Sequence, residues 1–244
     1  MIDTNNPFDR LAEAYDEFRS GYSRSLYDVL LEHGIKQGTN VLDVACGTGL
    51  ASEPLVKRGV NITGIDISEP MLAKARARCK NAEFVRGEAE ALPFGDKTFD
   101  AVICAQAIHW MDHRVAIEEM SRVVRPGGRV VVWWKRMSTE EPMRALRNRA
   151  CEAVGVKPPP DLMDAGFRAF FAHPFKERWV RVLPHVIMTD VDRWLGYERS
   201  RARQKDYGDS YGAYLAELER SMRELSDGKP FKVEYAQFVY IGEV

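Results

Sequence analysis

The chain has 244 residues, 45% of them hydrophobic, enough for one sizeable core. Its 35 basic and 36 acidic residues leave a formal charge of −1, which excludes any whole-chain bias toward nucleic acid or a membrane surface. Four cysteines (Cys46, Cys79, Cys104 and Cys151) form no C-x-x-C pair, which argues against zinc ribbons and redox motifs, and no apolar run approaches transmembrane length.

The first residues, MIDTNNPFDR, lack a basic-plus-apolar leader pattern, and most of the cysteines fall in segments that read as core. A cytoplasmic protein with reduced thiols is expected. Phe8, Leu11, Ala12, Tyr15 and Phe18 recur at helical spacing, and Leu26, Tyr27, Leu30 and Leu31 mark a second helix over 23–33. Val41 to Ala45 then reads as a buried parallel strand interrupted by Asp43. Cys46-Gly47-Thr48-Gly49 is a tight glycine turn at its carboxyl end, followed by a helix over 50–58. Glycine lets backbone approach a ligand where a Cβ would collide, and a helix start offers unpaired N–H groups. Strand, Gly-x-Gly, helix is thus a cradle for a nucleotide-like cofactor. A pyrophosphate cradle wants glycine or alanine where this chain has Ser52, so a dinucleotide is disfavoured. Asp43 suits a cationic, amino-bearing ligand instead, and S-adenosylmethionine has a sulfonium, an amino group and no phosphate.

Val60 to Ile65 is a second strand ending at Asp66, 17 residues past Gly49, close to the distance at which a carboxylate reaches ribose hydroxyls in nucleotide-binding α/β folds. Ser68 is the expected helix N-cap, with Pro70 in the first turn. Glu83 to Arg86 is a third strand, leading into Gly87-Glu88-Ala89-Glu90. Phe99 to Cys104 is the fourth, with Asp100 structural. It runs into AQAIHWMDH, residues 105–113, at the strand end where ligands bind in open α/β sheets. There His109 is either a general base or substrate donor, or a satisfied structural residue. A helix over 115–124 ends at Arg125-Pro126-Gly127-Gly128, and Val130 to Trp134 is the fifth strand. Lys135 and Arg136 follow, facing either an anionic substrate or solvent.

Beyond residue 138 the spacing predicts a helix over 140–154, a proline-rich linker at 157–160, and a cluster of Phe167, Phe170, Phe171 and Phe175 forming core or a pocket wall. Trp179 to Met188 reads as a strand. Asp190 caps a helix carrying Trp194, Tyr197 and Arg201 on one side, and the basic run Arg199, Arg201, Arg203, Lys205 reads as a solvated face. Residues 211–225 are helical, and Lys232 to Ile241 is a last strand, expected antiparallel at the far end of the sheet.

VLDVACGTG resembles the first motif of class I S-adenosylmethionine-dependent methyltransferases, and the similarity continues through ITGIDISEPMLAKAR, GEAEALPFGDKTFDAVICAQAIHW and VVRPGGRVVVWW. It covers roughly residues 8–135, and is strongest toward small-molecule enzymes of the ubiquinone-biosynthesis, methyltransferase type 11 and trans-aconitate methyltransferase type. The resemblance implies an α/β, doubly wound, mostly parallel seven-stranded sheet of Rossmann-like form with a small helical cap. That makes a single domain over 1–244, with a lid helix over 8–20 and a cap from 138–175 and parts of 190–228. It implies S-adenosylmethionine as cofactor and S-adenosylhomocysteine as product, held by Tyr15, Arg19, Asp43, Ala45, Gly47, Gly49, Asp66, Ile67, Met71, Glu88, Ala89 and Gln106. Arg19 would meet the methionine carboxylate, Asp66 the ribose, Ile67 and Met71 the adenine ring, and Glu88 and Ala89 its polar edge. On the acceptor side His109 is the catalytic candidate, and Trp110, Tyr197 and Ser200 the substrate candidates, the last two through a WLGYERSRA stretch similar to a segment bordering the substrate in trans-aconitate-type enzymes. The expected partner is a small molecule with a carboxylate or hydroxyl acceptor, without metal, nucleic acid or membrane, in a monomer or homodimer. The alternatives are a non-catalytic protein that binds the cofactor and a nicotinamide dehydrogenase.

Overall fold

A computed structural model describes residues 6–138, 142–158, 163–202 and 204–244. The helix α1 (Pro7–Phe18) begins at an Asn6 cap, and α2 (Arg24–Glu32) begins at Ser23, whose hydroxyl accepts the Leu26 N–H. Then come β1 (Asn40–Val44), α3 (Ser52–Val56), β2 (Asn61–Asp66), α4 (Glu69–Arg78), β3 (Glu83–Arg86), β4 (Phe99–Ala105), α5 (His113–Arg122) and β5 (Val124–Met137). The remainder is α6 (Pro142–Ala153), α7 (Met163–Ala172), β6 (Glu177–Thr189), α8 (Val191–Arg199), α9 (Tyr211–Ser226) and β7 (Phe231–Glu243). The proline-rich linker lies partly outside the described residues.

The seven strands form one sheet in the order β3-β2-β1-β4-β5-β7-β6. The first five are parallel, and β7 runs antiparallel to both of its neighbours. The expected doubly wound α/β sheet is therefore the observed one. One placement differs: β7 lies inside the sheet and β6 takes the edge, because β6 pairs with β7 along all of its 13 residues. Proline at position 184 sits on that edge strand, where a missing N–H is tolerated.

The central strands are apolar on both faces because both faces are covered. In β1, Leu42 and Val44 join a core with α5 and α7, while Val41 joins one with α2 and α3. In β5, Val130, Val132 and Trp134 face the first layer, Val131 and Trp133 the second. A third core binds α6, α8 and α9 to the upper part of β7 through Leu146, Trp194, Tyr214, Leu218 and Val233. The parallel order reverses between β1 and β4, so their carboxyl ends open a crevice. Helix α1 crosses near it. Ser68 donates to Asp9 (2.6 Å), and Glu13 and Asp16 pair with Lys74 and Arg78 of α4.

Candidate functional site

The turn after β1 is shaped by left-handed backbone: φ is +54° at Ala45, +55° at Gly47 and +77° at Gly49. The two glycines serve different ends. A Cβ at Gly47 would meet no protein atom, since the position opens on the crevice, whereas one at Gly49 would press on the Ala75 backbone of α4 at 3.3 Å. Gly47 therefore presents bare main chain to the crevice, and Gly49 allows close helix packing.

Two carboxylates stand behind this turn. Asp43 is fully buried, accepts the Ser52 hydroxyl at 2.6 Å, and leaves Oδ1 without a hydrogen-bond partner. Burial raises its pKa to about 7 against the Ser52 bond. Asp66 ends β2; its Oδ2 accepts Gly47 N–H and its Oδ1 accepts Ser68 N–H, both at 2.9 Å. Burial raises it as well, opposed by those backbone donors.

The crevice is a cavity of about 780 Å³, within the usual size of small-molecule sites. Its first half is lined by Ala45, Gly47, Asp66, Ile67, Met71, Glu88, Ala89 and Gln106, at the carboxyl ends of β1 to β4. Gln106 is held by Trp133 and Lys135 carbonyls and has a left-handed φ of +58°. Tyr15 of α1 and Arg19 just past its end close this half. The Arg19 guanidinium lies 4.7 Å from the ring centres of both Tyr15 and Tyr197. Burial keeps the Tyr15 hydroxyl a phenol, though Arg19 opposes that rise.

His109 and Trp110 follow β4 and also line the cavity. Trp134 Nε1–H donates to His109 Nδ1 at 3.4 Å, and the Trp110 ring meets Phe8 of α1 edge-on at 5.3 Å. Three expected site residues stand outside the wall. Asp43 and Gly49 lie beneath the turn. Ser200 is fully buried, and accepts Arg19 Nε–H at 2.8 Å while its carbonyl accepts Arg19 Nη2–H at 3.2 Å. It seats Arg19, and Tyr197 alone of that pair reaches the cavity.

The second half carries residues that spacing alone did not single out. On α6, Arg144, Arg147, Asn148 and Cys151 fall on one helical face and line the cavity. Arg201, expected on a solvated face, lines it too; Arg203 of that run lies outside the described residues. The reason is Glu198. Its side chain is 2% exposed, paired with Arg147 at 3.0 Å and Arg201 at 2.9 Å, and Tyr214 donates to it at 3.3 Å. Burial pushes Glu198 up, but the two arginines bring it below the usual range. Burial likewise opposes both arginine charges, and Glu198 raises them. Two cations on one anion leave a surplus positive charge at this wall. The repeated arginines at helical spacing beside apolar Met143, Leu146 and Ala150 were the available sequence clue.

Lys135 lines the same cavity but is bound elsewhere: its ammonium donates to Ser20 Oγ at 2.6 Å, Ser20 O at 3.1 Å and Gly21 O at 3.2 Å. Burial, then Arg19, lowers its pKa to about 7. Among the described residues no group of His, Cys, Asp and Glu has metal-site form, and no helix is long and apolar enough to cross a membrane.

A seven-stranded sheet of this order, with a glycine turn after β1 and an acid at the end of β2, defines the class I methyltransferase fold. Residues 42–132 match the profile of a methyltransferase-domain family, methyltransferase type 11, whose members use S-adenosylmethionine. Over 154 residues it is 36% identical to the demethylmenaquinone methyltransferase of Paenarthrobacter aurescens, covering 57% of this chain and 61% of that protein. It is 37% identical over 132 residues to an uncharacterized methyltransferase of Mycobacterium bovis, covering 54% and 53%. The chain thus spans little more than half the length of these curated relatives. A solved structure from Anaeromyxobacter dehalogenans, provisionally assigned as a type II methyltransferase, shares the fold at a TM-score of 0.73 and 23% identity, over 93% of this chain and 98% of that one.

Proposed function

We propose that the protein transfers a methyl group from S-adenosylmethionine to a small-molecule acid, and that its acceptor oxygen belongs to a carboxylate. The supporting observation is a single cavity with two chemically distinct halves. One has bare Gly47 backbone and Asp66; the other has the Arg147–Glu198–Arg201 cluster with its surplus positive charge.

In this reading Asp66 accepts the ribose hydroxyls, Glu88 and Ala89 meet the adenine edge, and Ile67 and Met71 flank the ring. Arg19 meets the methionine carboxylate with the guanidinium edge that Ser200 does not use. Asp43 acts through the turn above it. Bound there, S-adenosylmethionine supplies a methyl carbon activated by its sulfonium and leaves as S-adenosylhomocysteine.

The residues' part is alignment and exclusion of water, and orientation can supply ~7–11 kcal/mol in favourable cases. Helix α1 acts as a lid, with Tyr15, Arg19 and Phe8 closing the cofactor half. Helices α6, α8 and α9 act as a cap whose Arg147 and Arg201 hold the acceptor's negative charge. A carboxylate needs no base. That agrees with His109, whose Nδ1 accepts the Trp134 N–H, so the neutral ring carries its proton on Nε2 and offers a donor. Tyr15, Tyr207 and Tyr235 are all held as phenols by burial.

Two measurements test this. Calorimetry with S-adenosylmethionine, S-adenosylhomocysteine and NAD should show binding of the first two only; binding of NAD alone defeats the proposal. Turnover is then read as S-adenosylhomocysteine release with a panel of mono- and dicarboxylic acids, phenols and quinols. Acids should react, and Arg147→Met should raise their KM with cofactor affinity kept. Exclusive turnover of neutral phenols or quinols would remove the carboxylate, and cofactor binding without turnover on any class would favour a non-catalytic binder.

A further inference from the structure

The bonds of Lys135 all go to one place. Its three ammonium donors meet three oxygens, Ser20 Oγ, Ser20 O and Gly21 O, between 2.6 and 3.2 Å. The faces of Tyr22 and Tyr235 enclose it at 5.8 and 5.1 Å. Among the described residues no carboxylate pairs with it. A partly buried cation without a counter-ion is costly unless oxygen dipoles replace its water, and here every such dipole belongs to the joint between α1 and α2.

That joint is short, and its ends are anchored by Arg19 on Ser200 and by Ser23 on Gln237, with Tyr22 edge-on to Trp133 at 5.4 Å. Residues 19–23 lie between the two helices, and a Cβ at Gly21 would meet nothing within 4 Å. Arg19 is the residue immediately before the clamp. Its guanidinium must stand between two rings and over Ser200, a placement that depends on where Ser20 is fixed. Lys135 stands on β5, which is paired to β4 on one side and β7 on the other, and so refers the joint to the same sheet that builds the cofactor half.

We propose that Lys135 is a positioning residue: by clamping Ser20–Gly21 to β5 it seats Tyr15 and Arg19 over the cofactor and sets how long the cofactor stays bound. This rests on the cofactor reading above. The three oxygen acceptors favour the charged ammonium over the neutral amine that a general base would need.

The test uses the full chain as wild type, Lys135→Met, Lys135→Arg and Ser20→Ala. Amide hydrogen exchange is measured without ligand, followed by S-adenosylmethionine affinity, dissociation rate, KM and kcat. In Lys135→Met, exchange across residues 8–23 should rise while β1, β4 and β5 stay protected. Cofactor affinity should fall about tenfold to a hundredfold, the range for losing a charge-assisted hydrogen bond, through faster dissociation. KM for the cofactor should rise with kcat kept within about threefold. Ser20→Ala should shift the same quantities less, and Lys135→Arg should restore part of the loss.

A folded Lys135→Met with unchanged exchange and affinity overturns the clamp, as does a loss confined to kcat, which would make Lys135 a catalytic base. Should Lys135→Met not fold, Ser20→Ala decides by the same two readouts. A wild type that ignores S-adenosylmethionine defeats the function proposed above, whereas unchanged ligand-free exchange over 8–23 defeats the clamp.

Discussion

Gly196 of α8 lies directly against the ring of Phe18 of α1, with no room for a Cβ between them. The crossing of the two helices thus depends on an absent side chain. Gly196→Ala should push Phe18 outward and tilt α1 away from Tyr197. Overpacking of this kind costs ~1–3 kcal/mol, and S-adenosylmethionine binding should weaken together with thermal stability. Melting and calorimetry on the variant check this; wild-type values for both would show that α1 adapts freely.

Asp43 gives a pH prediction with a definite sign. Its folded pKa of about 7 lies above the ordinary carboxylate value, so between roughly pH 4 and pH 7 the folded state binds more protons than the unfolded one. Its contribution to stability must therefore fall as pH rises through that window. Asp43→Asn keeps an acceptor for Ser52 and removes the charge. The ligand-free variant should gain on the order of a few kcal/mol relative to wild type at pH 8 and little at pH 4. Urea unfolding of both proteins at the two pH values measures it, and parallel curves would mean that Asp43 finds a partner for its charge.

His109 is expected to orient the acceptor. Its Nδ1 is the acceptor for the buried Trp134 N–H, and glutamine offers an amide oxygen in its place. His109→Gln should raise the acceptor KM and leave kcat within about tenfold. Steady-state kinetics decides, because a kcat loss of ~10²–10⁴ is the range for general acid–base catalysis and would restore that role.

Glu198 is the counter-charge that makes the arginine wall tolerable. Glu198→Gln leaves Arg147 and Arg201 side by side with no anion, and breaking such a buried pair typically costs ~3–5 kcal/mol. The variant should unfold at markedly lower urea, and added acceptor acid should recover part of the loss by binding the folded state. Unchanged unfolding would show that solvent screens the pair.

The first half of the molecule was legible because its physics is local. Strands covered on both faces read as apolar runs, and β1, β2, β3 and β4 fall within a residue or so of expectation. The glycine turn and Asp66 were recognisable for the same reason. Boundaries failed where tertiary contacts took over. The Arg125-Pro-Gly-Gly turn lies inside β5, which starts at Val124 and pairs with β4 through an irregular register near Phe99. The arginine-lined half of the cavity was hidden because a charged residue on a helix reads as solvated by default. Only the fold brings Arg147 of α6 to Glu198 of α8, and only the fold shows that Ser200 serves Arg19. Lys135 was expected just past the fifth strand but lies within β5, and its side-chain bonds run to a segment more than a hundred residues earlier.

The position of β7 bears on how the chain is made. Strand β6 is bonded to β7 alone, and β7 is also the outer neighbour of β5, yet of these seven strands it is the last to be made. The parallel part, β1 to β5, can associate while synthesis continues, as early segments generally do. Strand β6 must wait, its ladder groups unmatched, and β5 keeps one open side. During that interval the nascent chain exposes two strand edges to every neighbour on the polysome, and both are satisfied in a single late step.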